Sequence, residues 1–90
     1  MTTQSPDPVG TLQTALAHTA RLLGERPAMA EAQAREILKV MPGQADATLL
    51  LAAALRGQGE MAAARPLIEP LAAARPHWAA AQLDLGVVLA

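Results

Sequence analysis

The segment PGQADATLLLAAALRGQGEMAAARPLIEPLAAARP, residues 42–76, decides the fold, because it places two apolar runs between two prolines. Both runs consist mainly of alanine and leucine, and the glycine-rich sequence at 57–59 separates them. Alanine is the strongest helix former, and glycine is common just past the end of a helix. The segment therefore predicts two helices, at about 46–56 and 60–74, that are joined by a tight turn.

The same alternation of apolar helices and turns extends on both sides of this segment. The spacing of apolar residues predicts a first helix from Thr11 and a second from Pro27 to the Pro-Gly pair at 42–43. A fifth helix is predicted from about His77 to the end of the chain. Two prolines and a glycine predict a disordered or frayed leader over 1–10. The chain is therefore expected to be all-α, with about five helices.

The fourth predicted helix contains Pro66 and Pro70. Each proline removes a backbone donor and crowds the carbonyl group four residues earlier. Either this helix starts late, with Pro66 in its first turn, or it is bent near Pro66. We favour the bent helix.

The apolar residues also predict how the helices pack. The third helix is apolar nearly all round, so it should be the most enclosed element. Trp78, the single aromatic residue, is expected to anchor the packing between helices. The flexible side chains of Met29, Met41 and Met61 are expected to fill gaps in the core.

Composition excludes several classes of function. The chain has seven Lys and Arg and eight Asp and Glu, and the sequence contains no basic cluster, which argues against binding to nucleic acid. Without cysteine the chain has no disulfide, thiol nucleophile or cysteine metal site. The longest apolar run, at 49–55, is too short to cross a bilayer, and MTTQSPDPVG lacks the pattern of a signal peptide. We therefore expect a cytoplasmic protein with no nucleic-acid or membrane partner.

An internal repeat relates the two halves of the chain. Pro76 follows Pro42 at an offset of 34 in residue number, called here the repeat offset, and each proline lies between two apolar helices. The repeat offset superimposes similar residues: Ala30 on Ala64, Ile37 on Leu71, Leu51 on Leu85, Ala52 on Gly86, and Leu55 on Leu89. Recurrence at a fixed period of this length is typical of arrays of stacked helix pairs.

The period and its residues resemble the tetratricopeptide repeat family. That pattern alternates large and small residues in two helices and ends in proline. The second unit matches it with Leu51, Ala52, Leu55, Ala64, Ile68, Leu71 and Pro76. In the first unit, His18 and Arg21 stand where a small and a large residue are expected. A slip of one residue in the turn at 24–27 would place Leu16, Ala17 and Ala20 there instead.

This resemblance implies an α-solenoid, a right-handed superhelix of antiparallel helix pairs. Its units are a degenerate repeat at 11–44, a full repeat at 45–78, and at 79–90 the first helix of a truncated third repeat. The implied function is that of a non-catalytic protein-interaction scaffold, in which the first helix of each pair lines a concave surface.

On this chain the concave candidates are Leu12, Ala15, Thr19, Asp46, Leu49, Ala53, Arg56, Leu83 and Val87. The family's clamp for a peptide carboxylate uses Lys, Asn and Arg, whereas the matching positions here carry Ala15, Thr19, Ala53, Ala80 and Asp84. The resemblance therefore implies an apolar groove with Arg56 as its only cation. Such a groove suits an amphipathic helix or an adjacent domain of the same chain.

The fifth helix would present Leu85, Gly86 and Leu89 to a partner helix that this sequence does not contain. An exposed apolar patch of this kind usually marks an interaction surface. We expect the chain to be the N-terminal part of a longer bacterial protein. Taken alone, it is expected to self-associate through the fifth helix as a two-fold homodimer.

An alternative is that the repeats are an appendage of an enzyme. The run at 31–60 and the run at 67–90 resemble the leading region of bacterial proteins in which such repeats precede a sulfotransferase domain. The strand-loop-helix motif that binds the phosphosulfate donor in those proteins does not occur here, so no catalytic residue is carried over.

The residues themselves supply no candidate for catalysis, metal binding or a cofactor. Neither His18 nor His77 has a carboxylate or a second histidine at metal-binding spacing. The glycines at 57–59 follow a helix rather than a strand and lack the lysine of a phosphate-binding loop. We therefore expect this part of the protein not to be an enzyme.

Overall fold

A computed structural model describes the backbone of residues 8–89 and the side chains of residues 11–86. In this part of the chain all the regular structure is helical, so the predicted all-α class is confirmed. The helices are α1 Pro8–Glu25, α2 Pro27–Val40, α3 Ala45–Gly57, α4 Met61–Ala74 and α5 Ala79–Leu89.

The outer helices begin at residues other than those predicted. α1 begins at Pro8 rather than Thr11, and proline is well suited to the first position of a helix. The predicted leader otherwise lies outside the described residues. α5 begins at Ala79 rather than His77, because the preceding residues form a turn in which the Trp78 amide donates to the carbonyl of Arg75 at 3.0 Å.

α4 runs without interruption through both of its internal prolines. It begins at Met61, so the alternative of a late start at Pro66 is wrong. The rings of Pro66 and Pro70 lie on the exposed side of the helix, where they displace no core side chain. The bend near Pro66 stays a prediction.

The turn between α3 and α4 depends on two glycines. Gly59 has φ +79°, in the left-handed region. The Gly59 amide donates to Arg56 at 3.0 Å and the Glu60 amide donates to Leu55 at 2.8 Å, the pair of bonds that defines a Schellman motif. A Cβ atom at Gly57 would lie 3.3 Å from Cβ of Pro27, so this glycine lets the end of α3 approach the start of α2.

Each helix packs against the next one along the chain. α3 also contacts α1 and α5, whereas α2 and α4 have no Cα atoms within 8 Å of each other. Among the described helices, α1 reaches neither α4 nor α5. The molecule is elongated, with extents of 52 × 27 × 20 Å and a radius of gyration of 13.8 Å. A compact chain of this length would have a radius of about 12 Å.

The core consists mainly of alanine and is divided into two clusters. The larger cluster contains buried residues of all helices from α2 to α5: Ala34, Leu51, Ala52, Leu55, Ala64, Ile68, Ala72 and Ala81. The smaller cluster joins Leu16, Ile37 and Ala47. α3 has five buried residues, more than any other described helix, which confirms that it is the most enclosed helix.

The predicted packing roles of Trp78 and the methionines have different outcomes. Trp78 is half-buried and packs against the larger cluster, as expected for a packing anchor. The prediction that three methionines fill gaps in the core is wrong, because Met29, Met41 and Met61 are 48%, 42% and 38% exposed. Alanine occupies most of the buried positions of the described core instead.

The repeat offset recurs in the backbone hydrogen bonds of the turns. The amides of Met41 and Arg75 donate to Ile37 and Leu71, at 2.8 and 3.1 Å. The next bond in each turn is also equivalent: the Gln44 amide donates to Met41, and the Trp78 amide donates to Arg75, both at 3.0 Å. In the third pair of bonds, the Thr48 amide donates to Gln44 and the Gln82 amide donates to Trp78, both at 3.1 Å. The φ and ψ angles are −131° and 78° at Met41 and −131° and 69° at Arg75. The two turns therefore have the same conformation.

Candidate interaction surfaces

Burial sets the register of α1 relative to α3. With an offset of 35 in residue number, Leu16 (8% exposed) matches Leu51 (4%), and Thr19 matches Ala54, both fully enclosed. At the repeat offset, Leu51 would match Ala17, which is exposed. The one-residue slip in the first turn therefore describes the buried face. Ala17 and Ala20 are exposed, unlike their α3 counterparts, because α1 packs only against α2 and α3 among the described helices.

This register corrects one of the predicted surface residues. Thr19 is fully buried, and its hydroxyl donates to the Ala15 carbonyl at 2.7 Å, so it does not line an open groove. Leu12 and Ala15 are half-buried against the smaller cluster and line a groove between α1 and α2. In the register that aligns Leu16 with Leu51, the α1 residues that match Ala53 and Arg56 are His18 and Arg21, which are both exposed.

The predicted concave residues of α3 and α5 lie in different surroundings. Leu49 is half-buried against the larger cluster, Ala53 and Arg56 are half-buried, and Leu83 is 72% exposed. Asp46 lies at the start of α3 and lines a groove along the turns. The side chain of Val87 lies outside the described residues.

Arg56 does not present a free positive charge. Its Nε and Nη2 atoms lie 3.0 and 2.9 Å from Oδ1 of Asp84, and the aspartate side chain is 7% exposed. α5 brings a carboxylate against Arg56, so an ion pair neutralises the cation that was predicted for the groove. Oδ2 of Asp84 is buried and has no hydrogen-bond partner in the described structure.

In the sequence, Asp84 stands out only as a residue that differs from the family's clamp. Asp84 is the only charged residue between Ala79 and Ala90, and its counterpart one repeat offset earlier is Leu50. A lone charge at an apolar position of the repeat is the signal that predicts a buried partner.

A groove of about 730 Å³ runs along the two equivalent turns. It is lined by Val40, Met41, Pro42, Gly43, Gln44, Ala45, Asp46, Arg75 and Trp78. The guanidinium carbon of Arg75 lies 5.6 Å from the centroid of the Trp78 ring, within the range of a cation–π contact. Val40 is 81% exposed beside them.

A second groove, between α1 and α2, encloses about 440 Å³. It is lined by Thr11, Leu12, Ala15, Gln33, Glu36, Ile37, Val40 and Met41. A smaller groove of about 310 Å³ between α3 and α4 contains Leu67, Pro70, Leu71, Ala74 and Arg75, the counterparts of the α2 lining one repeat offset later. The surface therefore repeats with the backbone.

A fourth groove lies between α4 and α5, encloses about 380 Å³, and is called here the open groove. It is lined by Arg65, Glu69, Ala72, Ala73, Pro76, Gln82 and Leu85. Nε2 of Gln82 donates to the Ala72 carbonyl at 2.9 Å and joins the two helices.

The predicted self-association face lies at and beside this open groove. Leu85 is half-buried against the larger cluster and also lines the groove. Gly86 is exposed, and a Cβ atom there would meet no described atom within 4 Å. The Leu89 side chain lies outside the described residues.

The described residues form neither a metal-binding cluster nor a membrane span. No three His, Cys, Asp or Glu side chains in that part of the chain lie close enough together to hold a metal ion. His18 and His77 are both exposed. None of the described helices has both the length and the apolar character that a membrane span requires.

No protein-family model, curated protein or solved structure matches this chain.

Proposed function

We propose that the chain is a non-catalytic protein-interaction module of the tetratricopeptide type, built as a right-handed α-solenoid. In this arrangement α1 with α2 and α3 with α4 are helix pairs, and α5 is the first helix of a third pair. The observation that carries the proposal is the repeat offset between the turns, at which three successive backbone hydrogen bonds recur. A generic helical bundle has no reason to repeat its turns at this spacing.

The helix contacts support a concave side formed by α1, α3 and α5. α3 contacts both α1 and α5, whereas α2 and α4 stay farther apart. When two layers of helices stack, the layer with the closer helices lies on the inside of the curve. The residues proposed to form this inner face are His18, Arg21, Leu49, Ala53, Arg56 and Leu83.

The charges of the inner face favour an amphipathic helix as ligand. Asp84 neutralises Arg56, so the part formed by α3 and α5 is mainly apolar, with Leu83 strongly exposed. Arg21 has no ion-pair partner among the described residues and supplies a positive charge on α1. A helix with an apolar stripe and an acidic residue toward α1 complements this surface. The same role fits a free cytoplasmic scaffold and a repeat region joined to a catalytic domain.

The test is affinity capture from a lysate of the source organism with wild-type protein and two variants. The inner-face variant carries Arg21→Glu with Leu83→Asp, and the matched control carries Val40→Asp on α2, at a side chain that is 81% exposed. We expect a partner that binds wild type and control but not the inner-face variant, with all three helical by circular dichroism. Capture that survives the inner-face changes would show that the assignment is wrong.

A further inference from the structure

The open groove has a counterpart one repeat earlier, and that counterpart is occupied. The repeat offset places Arg65, Glu69 and Leu85 on Glu31, Arg35 and Leu51. Leu51 is 4% exposed and shares the larger cluster with α4, whereas Leu85 is only half-buried. The earlier groove, lined by residues within 31–51, therefore shows which kind of segment covers such a groove.

The cover is α4 together with the turn before it. α4 contributes Ala64, Ile68 and Ala72, which are at most 2% exposed and recur at every fourth position on one face. The turn contributes Gln58, whose Nε2 donates to Oε1 of Glu31 at 2.9 Å. A helix of this kind therefore needs small, large and small residues at intervals of four, and a polar residue six positions before the first small one.

The residue at the position of this polar contact has the opposite charge at the open groove. Glu31 bonds to Arg35 within α2 and also accepts from Gln58. In α4 the order is inverted, because Arg65 pairs with Glu69. Arg65 makes no hydrogen bond to any other described residue, so the position that accepts a donor in α2 offers a donor in α4. A carboxylate is the matching group.

We propose that the open groove binds a helix with the pattern acid-x5-Ala-x3-Ile/Leu-x3-Ala, its acidic residue facing Arg65. The small residues allow close approach to α5, where the exposed Gly86 stands at the position of the fully buried Ala52. The large residue packs on Leu85, as Ile68 shares a cluster with Leu51. The proposal depends on the observed period and not on the inner face.

The probe is a fluorescein-labelled peptide of residues 57–75 with Gln58→Glu, Pro66→Ala and Pro70→Ala. Both proline changes raise helicity at exposed positions, and the first change supplies the acid. Fluorescence anisotropy with the full chain is expected to show saturable binding. A peptide that also carries Ile68→Asp is the control and should not bind.

Charge exchange tests the register of the complex. We expect Arg65→Glu to weaken binding of the acidic peptide by about five-fold. A second peptide, with Gln58→Lys in place of Gln58→Glu, should bind the Arg65→Glu protein more tightly than it binds the wild-type protein. Leu85→Asp should weaken binding by at least about ten-fold. Arg21→Glu, on the inner face, should leave peptide binding unchanged, so this proposal and the proposed function fail separately.

Two results would overturn the proposal. The first is that the acidic and lysine peptides bind the wild-type and Arg65→Glu proteins with equal affinity, which would mean that Arg65 does not contact the charged residue of the peptide. The second is a concentration-dependent dimer in sedimentation that Leu85→Asp dissociates and that excludes the peptide, which would identify a second copy as the occupant.

Discussion

Leu51 and Leu85 hold the same place in consecutive repeats, yet only Leu51 is enclosed. Leu51 has α4 packed over it and is 4% exposed, whereas Leu85 lines the open groove. The neighbouring positions differ in the same way, since Ala52 is fully buried and Gly86 is exposed. Burial at these positions is therefore decided by whether another described helix packs over them, more than by the residue that occupies the position.

The largest expected effect contrasts a charge at these two leucines. Leu51→Asp buries an unpaired carboxylate and should lower the free energy of unfolding by more than about 4 kcal/mol, enough to abolish cooperative folding. Leu85→Asp should cost about 1 to 2 kcal/mol, because water reaches that side chain. Thermal unfolding followed by circular dichroism measures both. Equal losses would mean that α5 is as enclosed as α3.

The ion pair between α3 and α5 gives the next effect. Arg56→Leu leaves the carboxylate of Asp84 buried without a partner and should cost about 1 to 3 kcal/mol in urea denaturation. Arg56→Leu combined with Asp84→Leu removes both charges and copies the Leu50 of the preceding repeat. The double variant should return close to wild-type stability. A double variant as unstable as Arg56→Leu would show that the pair itself stabilises the fold.

Smaller changes in stability, of opposite sign, are expected from substitutions at Gly86 and Ala52. Gly86→Ala should raise stability by about 0.5 to 1 kcal/mol, because a Cβ atom there meets no described atom within 4 Å and alanine favours the helix. Ala52→Gly reverses the change at a buried position and should cost more, about 1.5 to 2 kcal/mol, since a packed methyl group is also lost. If thermal unfolding gave changes of equal size for the two variants, the packed methyl group of Ala52 would contribute nothing to stability.

The smallest effect tests the cover itself, through pH. The hydrogen bond from Gln58, and then that from Arg35, hold the pKa of Glu31 below its ordinary value. A lowered pKa in the folded state stabilises the protein above the carboxyl range, and this contribution is lost as pH falls through the folded pKa. Glu31→Gln should therefore cost about 0.5 kcal/mol at pH 7 and progressively less below about pH 4.

Urea titrations of wild type and Glu31→Gln across this range check the prediction. Glu36→Gln, which removes a carboxylate bonded to Lys39 on the same helix, controls for the change in net charge. A stability difference that does not depend on pH would mean that the link between α2 and the α3–α4 turn does not depend on ionised Glu31.

The helices and turns were predictable because prolines and glycines mark their ends. Pro27 begins α2, the Pro-Gly pair follows it, and Gly59 has the left-handed conformation expected of a glycine turn. These signals are local, so they are visible without knowing how the helices pack.

The candidate surfaces were less predictable, because they depend on the rotation of each helix. The register of α1 differs by one residue from the period of the rest, which moves Thr19 from the predicted groove into the core. The pairing of Arg56 with Asp84 links residues 28 positions apart on two helices. Periodicity alone does not determine which face of α5 turns toward α3.

The packing of each helix against its near neighbours in the chain has a consequence for how the molecule folds. No described contact joins α1 to α4 or α5, so the contacts between described helices close loops that contain at most one intervening helix. The entropic barrier to such closures is small, and folding is expected to be fast. For the same reason α5 can detach while α2 and α3 stay folded, and amide protons of α5 should exchange with solvent sooner than those of α3.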